Sequence, residues 1–220
     1  MIHSQLLMRQ TLKIHEIFTS IQGEGPFSGL PTTFVRLTGC PLRCQYCDTA
    51  YAFKGGNNMT IEAIVAKVEN AHANYVCITG GEPLAQNLVH TLIHTLCDLG
   101  YQVSIETSGS ISIAPVDSRA TCIMDIKTPG SQEVEKNNLD NLAILRQHDH
   151  VKFVICDQPD FDWSIEMANK LNLSHQQIWF SPEHTSLSAT TLADWLVLSK
   201  APYRLQIQLH KYLWGDVAGK

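Results

Sequence analysis

Three cysteines stand in one short run, Gly39-Cys40-Pro41-Leu42-Arg43-Cys44-Gln45-Tyr46-Cys47-Asp48. Thiolates spaced C-x3-C-x2-C can hold three irons of a cubane [4Fe–4S] cluster and leave the fourth iron free to bind a small molecule. A cluster built only to carry electrons usually has every iron capped by cysteine, so a three-cysteine loop points to a cluster that does chemistry. Other readings exist. A structural zinc site wants four ligands, commonly two close pairs, and no second C-x2-C follows, although the distant Cys77 or Cys122 could complete a set. Seven cysteines are an odd number for a disulfide framework, and residues 1–10 do not resemble an export or transit signal. Three inert, buried thiols are the blandest alternative. Cys77, Cys97, Cys122 and Cys156 sit in apolar stretches and read as core.

The elements that must position such a loop follow from periodicity. Residues 32–38 read as a strand running into the cysteines. Thr60 can cap a helix whose Ile61, Ile64, Val65 and Val68 form one apolar stripe. Strands are expected at 75–79, 102–106, 122–126, 151–156, 177–180 and 203–209, and helices at 85–99, 161–171 and 190–199, with Gly100 stopping the first of these. Strands alternating with helices imply βαβ units and a parallel sheet. The expected fold is therefore α/β, a partial (β/α) barrel of about six parallel strands, formed by residues 1–220 as a single domain. In such folds chemistry collects at the C-terminal strand ends. The cysteine loop, Gly80-Gly81-Glu82-Pro83, Thr107-Ser108-Gly109 and Lys127-Thr128-Pro129-Gly130 all fall there.

Composition narrows the partners. Sixteen Lys plus Arg against 21 Asp plus Glu give a net charge of −5, with no basic block to track a nucleic-acid backbone. Apolar runs are far too short to span a membrane. Reduced thiols without an export signal point to the cytoplasm.

The cysteine spacing and the Gly-Gly-Glu-Pro segment resemble the radical S-adenosylmethionine (SAM) superfamily. Within it, the chain resembles the 7-carboxy-7-deazaguanine synthase family, a match that covers most of its length. The residues that carry it are His15-Glu16-Ile17-Phe18-Thr19-Ser20-Ile21-Gln22-Gly23-Glu24-Gly25, then Arg36, Asp48-Thr49, Ile78–Pro83, Ile105–Gly109, Asp125–Ser131 and His210-Lys211. The resemblance implies a lyase of queuosine-type biosynthesis. Its substrate, 6-carboxy-5,6,7,8-tetrahydropterin, becomes 7-carboxy-7-deazaguanine with loss of ammonia, and SAM acts as a regenerated radical source. It further implies Cys40, Cys44 and Cys47 as cluster ligands and Thr49 as a magnesium ligand. Tyr46, Asp48, Gly81, Glu82, Ser108, Asp125 and Lys127 would meet SAM. Ile21, Gln22, Gly23, Arg36 and Thr79 would meet the substrate. A flavodoxin or ferredoxin-type electron donor and a homodimer belong to the same implication.

Each residue also has a plainer reading. Glycines and a proline after a strand make a tight turn, though that leaves Glu82 unexplained. Arg36, inside an apolar strand, suits a substrate carboxylate bidentately but could pair structurally with Glu24 or Glu106. Gln22 offers donor and acceptor to a pterin edge, or sits in a glycine-rich surface turn. Lys127 could simply bridge to Asp125, and Thr49 could cap the turn after the cluster. Among the ten histidines, His210 alone is a site candidate. Two other functions compete: a glycyl-radical-enzyme activase, which shares the cysteine loop but not Gln22, Arg36 and Thr49, and a non-catalytic iron–sulfur carrier, which would want a fourth cluster cysteine.

Overall fold

In the computed structural model, residues 11–171, 173, 174, 177–215, 217 and 219 are described. Residues 1–10, read above for an export signal, lie outside them. Nine strands form one sheet: β1 (Thr11–Ile21), β2 (Pro31–Leu37), β3 (Asn57–Thr60), β4 (Tyr75–Gly80), β5 (Gln102–Thr107), β6 (Thr121–Ile126), β7 (His150–Ile155), β8 (Ile178–Pro182) and β9 (Arg204–Leu205). Their order is β3-β1-β2-β4-β5-β6-β7-β8-β9. From β2 to β9 every neighbour is parallel, and β1 runs antiparallel to both β2 and β3. The expected α/β fold with a partial, open barrel of parallel strands is present, extended at one edge by the antiparallel strands β1 and β3.

Helices α1 (Ile61–Asn70), α2 (Val89–Asp98), α3 (Gln158–Lys170) and α4 (Ala189–Ser199) pack against the sheet, and the short α5 (Leu209–Trp214) follows β9. Thr60 caps α1 as expected, its hydroxyl accepting from Ala63 N at 3.2 Å, and Ile61, Ile64 and Val68 are buried. One apolar cluster joins β1, β2, β4 and β5 to α1 and α2; a second joins β6, β7 and β8 to α3 and α4.

Three expectations are corrected. First, α2 starts at Val89 and not at residue 85, because Pro83–Ala85 form a 3-10 turn and Gln86 is extended. The Gln86 side chain is spent on tertiary bonds: its amide donates to Lys13 O and Thr38 O and accepts from Lys13 N. Secondly, 203–209 contributes only two strand residues before the chain turns into α5. Thirdly, β1 and β3 were not anticipated. A β-bulge between Ile14 and Glu16 breaks the period-two pattern by which β1 would have been recognised.

Candidate active site

The loops after β2, β4, β5, β6 and β8, the turn after β1 and helix α5 surround one cavity. Cys40, Cys44 and Cys47 all line it, free and half-buried. Burial pushes all three thiols up, Cys44 to about 11. Among the described residues no three His, Cys, Asp or Glu side chains converge as they would on one ion. A cubane makes no such demand, since each thiolate binds a different iron. The loop is held from behind. A Cβ at Gly81 would collide with Gly39 O and the Cys40 side chain, so glycine is what lets the strand end touch the cysteine loop. Glu82 N donates to Gly39 O at 2.8 Å, Gly39 N donates to Ala52 O at 2.9 Å, and Gln45 N donates to Ser131 O at 3.1 Å. Arg43 donates to Cys40 O and Leu42 O and lies 4.3 Å over the Phe53 ring.

Gly80 and Gly81 line the cavity, but Glu82 is not among the lining residues. Its carboxylate is fully buried and accepts from Leu84 N, Thr107 Oγ1, Ser108 N and Ser108 Oγ, at 2.6–3.0 Å. It brackets the β4 and β5 strand ends, and what faces the cavity there is Thr107 and Ser108. Asp125 and Lys127 face it from β6 and its following loop, joined at 2.9 Å. Burial alone would lower the Lys127 ammonium, but Asp125, Tyr46 and Cys44 raise it above the usual lysine range.

Arg36 also lines the cavity, and its partner is neither Glu24 nor Glu106. Its Nε donates to Glu16 Oε1 at 2.7 Å across the β1–β2 register, and Tyr51 donates to the same oxygen at 2.9 Å. The guanidinium carbon lies 5.9 Å from the Phe18 ring centre and 5.8 Å from that of Tyr51. Neither Nη group has a hydrogen bond among the described residues, so the planar fork is oriented by Glu16 and open at its other edge.

Ile21, Gln22, Tyr46, Asp48, Thr49 and Thr79 line the same cavity. Thr49 does not cap the following turn; its hydroxyl donates to Asp48 Oδ1 at 2.8 Å. Gly23 is not among the lining residues. Its carbonyl accepts from Leu209 N, and the His210 ring fills the space a Cβ would need. Residues 34–117 match the radical SAM superfamily. A 7-carboxy-7-deazaguanine synthase of Thermoplasma acidophilum is 38% identical over 94% of this chain and 99% of its own length. That of Chlorobaculum tepidum is 41% identical over 94% and 96%. The chain belongs to the 7-carboxy-7-deazaguanine synthase family. Its fold is similar to that of QueE from Escherichia coli, with a TM-score of 0.71 at 24% identity over 94% of this chain and 98% of the other.

Membership in this synthase family makes the chain a radical SAM enzyme acting on a small molecule, with a [4Fe–4S] cluster and SAM as the cofactors the superfamily implies. Several residues that shape the synthase cavity were missed by motif reading. Lys152 of β7 enters it, 2.6 Å from Glu24 Oε2 and 3.5 Å from Glu106 Oε2. The available signal was a lysine inside the apolar run Val151–Ile155, the same kind of signal that singled out Arg36. Buried Asp160 accepts from Thr128 Oγ1, Gly130 N and Cys156 N and so holds the Thr-Pro-Gly loop. Helix α5 and the residue before it bring Gln208, His210 and Lys211 to the cavity, as His210 alone had suggested. Gln208 donates to Glu24 at 2.8 Å, and Lys211 reaches Asp48 at 3.4 Å, so the C-terminal helix ties the β1 turn to the cysteine loop.

Proposed function

We propose that this chain converts 6-carboxy-5,6,7,8-tetrahydropterin to 7-carboxy-7-deazaguanine with release of ammonia. The observation that carries this is the opening of the three thiols and the unoccupied edge of Arg36 onto one cavity. Bound at Cys40, Cys44 and Cys47, the cluster supplies the one-electron reduction that makes SAM a radical source. The chain's own residues bind, orient and exclude water. Arg36 takes the substrate carboxylate with its two Nη groups, while Glu16 fixes the plane of the fork. Gln22, with donor and acceptor, reads the pterin edge beside Ile21 and Thr79. Gly23 contributes by admitting His210 against the turn. Gly81, Tyr46, Asp48, Ser108, Asp125 and Lys127 form the SAM side, and Glu82 acts there by holding Ser108 in place. Thr49 offers its oxygen to a magnesium ion whose remaining ligands are waters and substrate oxygens.

The whole of 1–220 is proposed to act as one domain, which the single continuous sheet supports. A flavodoxin or ferredoxin-type donor, a homodimer and a cytoplasmic setting complete the reading. Family resemblance supports the first two, and seven free thiols support the third. No helix among the described residues is long and apolar enough to cross a membrane. The test is anaerobic incubation of cluster-reconstituted protein with SAM, reductant and the carboxy-tetrahydropterin. A deazapurine chromophore is expected, with SAM recovered intact. SAM cleavage without any deazapurine would reject the assignment and favour an activase.

A further inference from the structure

Lys152 stands between the core residues Val151 and Phe153 with 8% of its surface exposed. An ammonium so placed needs compensation. It has two carboxylates, and they are served unequally. Glu24 Oε2 takes the 2.6 Å bond from Lys152 while its Oε1 accepts from Gln208 Nε2 at 2.8 Å. Glu106 receives only the longer 3.5 Å approach at Oε2, and its Oε1 is buried with no hydrogen-bond partner among the described residues. All three side chains line the cavity. A carboxylate with both oxygens bonded is stable as the anion. One with a bare buried oxygen is better off carrying a proton, which gives it a hydrogen to donate.

We propose that Lys152 is a positioning residue that fixes Glu24 as the ionised member of the Glu24–Glu106 pair and leaves Glu106 as the proton-exchanging member. This rests on the reading of the cavity as the site of ring contraction. The electrostatics agree. Burial raises Glu106, Lys152 pulls it back, Glu24 and Asp125 raise it again, and it settles at about 7. Burial would raise Glu24 too, but the charge and hydrogen bond of Lys152 bring it below the usual carboxylate range. Lys152 itself, despite burial, is held well above the usual lysine range by Glu24 and Glu106. The other facing groups are few. Cys77 from β4 is pushed to about 12, chiefly by burial, and is neutral. Asp48 acts on Glu24 from the cysteine loop; burial lowers His210 of α5, and Glu24 in turn raises it against that effect.

Such a pair suits an elimination of ammonia. The departing nitrogen keeps the C–N electron pair and takes a proton from the Glu106 carboxyl. A ring carbon then gives a proton to the Glu106 carboxylate while its C–H electron pair enters the ring. Glu106 ends as it began, and no oxidant or reductant is used. A carboxyl titrating near neutrality can serve in both directions.

The test is a carbon-13 NMR titration of the glutamate carboxyls in substrate-free protein, with Glu106→Gln assigning the signal. Lys152→Met should raise the Glu106 midpoint by about one to three pH units, the usual effect of an opposite charge at this range, while Lys152→Arg keeps it near the wild-type value. Glu24→Gln frees Lys152 for Glu106 and should lower the midpoint, an arm that stands even if Lys152→Met does not fold. The pH profile of deazapurine formation should move with the titration while SAM binding stays unchanged. An unmoved midpoint in Lys152→Met, equal shifts in Met and Arg variants, or a rise in Glu24→Gln overturns the proposal. The titration needs no turnover, so absence of deazapurine from the wild type would refute the function and leave the role of Lys152 decided separately.

Discussion

Replacing Arg36 by lysine keeps a positive charge and removes the planar fork. In the structure Nε is committed to Glu16 at 2.7 Å, neither Nη group has a hydrogen bond among the described residues, and the residue lines the cavity. The side chain is 14% exposed, so the substrate carboxylate would be bound in a partly desolvated place. A lysine can serve Glu16 or the substrate well, and not both at once. The loss is one hydrogen bond to a charged group, about 1.5–3 kcal/mol, which predicts a weakening of substrate binding by roughly 10- to 100-fold. The assay is steady-state KM for the carboxy-tetrahydropterin, alongside SAM binding and iron content. KM should rise, with SAM affinity and iron unchanged. An analogue lacking the carboxylate should bind wild type and Arg36→Lys equally. An unchanged KM, or an equal loss for the analogue, would show that Arg36 serves only the Glu16–Tyr51 pair.

Alanine at Cys40, Cys44 or Cys47 should abolish iron and sulfide retention, whereas alanine at Cys77, Cys97, Cys122 or Cys156 should keep both. Iron and sulfide assays after reconstitution decide it, and cluster loss confined to the second group would refute the ligand assignment. Gly81→Ala forces a Cβ against Gly39 O and Cys40, an overpacking worth about 1–3 kcal/mol, and should lower iron content and melting temperature together. Iron retention at wild-type level would mean the cysteine loop is not held by that contact. Thr49→Ala should remove most magnesium stimulation, measured as turnover with and without chelator. Equal stimulation of variant and wild type would leave Thr49 with only its bond to Asp48.

Strands β2, β4, β5 and β6 were legible because their apolar runs end in glycine-bearing turns, and those turns form part of the cavity wall. Cys40, Cys44 and Cys47 could be read as a set because the whole set lies within one loop. Glu16 could not be assigned to Arg36, since their pairing depends on the β1–β2 register, which the bulge beyond Ile14 resets. Glu82 was legible as unusual for a turn, but no periodicity says which way a carboxylate faces once a strand has ended. The structure turns it toward Thr107 and Ser108, on a strand 25 residues away in sequence. Residues 203–209 read as a strand because Tyr203, Leu205 and Ile207 alternate. Arg204 and Leu205 pair with β8 and Gln206 N still donates to Phe180 O at 2.9 Å, but beyond them Gln208 and Lys211 make their bonds at the cavity.

That last difference explains why the C-terminal residues matter to the site. Glu24 and Asp48 sit on segments that are separate in the chain, one after β1 and the other after β2. Gln208 bonds Glu24 and approaches Asp48 at 3.4 Å, and Lys211 approaches the same Asp48 oxygen at 3.4 Å. Leu209 N closes on Gly23 O, where only glycine admits the His210 ring. A chain segment continuing as strand would have left both acidic groups facing the cavity without these partners. The helix and the residue before it instead satisfy one acid on each of the two loops, so the β1 turn and the cysteine loop are tied together by one short element. A radical generated on one ligand has to reach a particular carbon of another, and a fixed separation between their binding loops is the condition for that transfer.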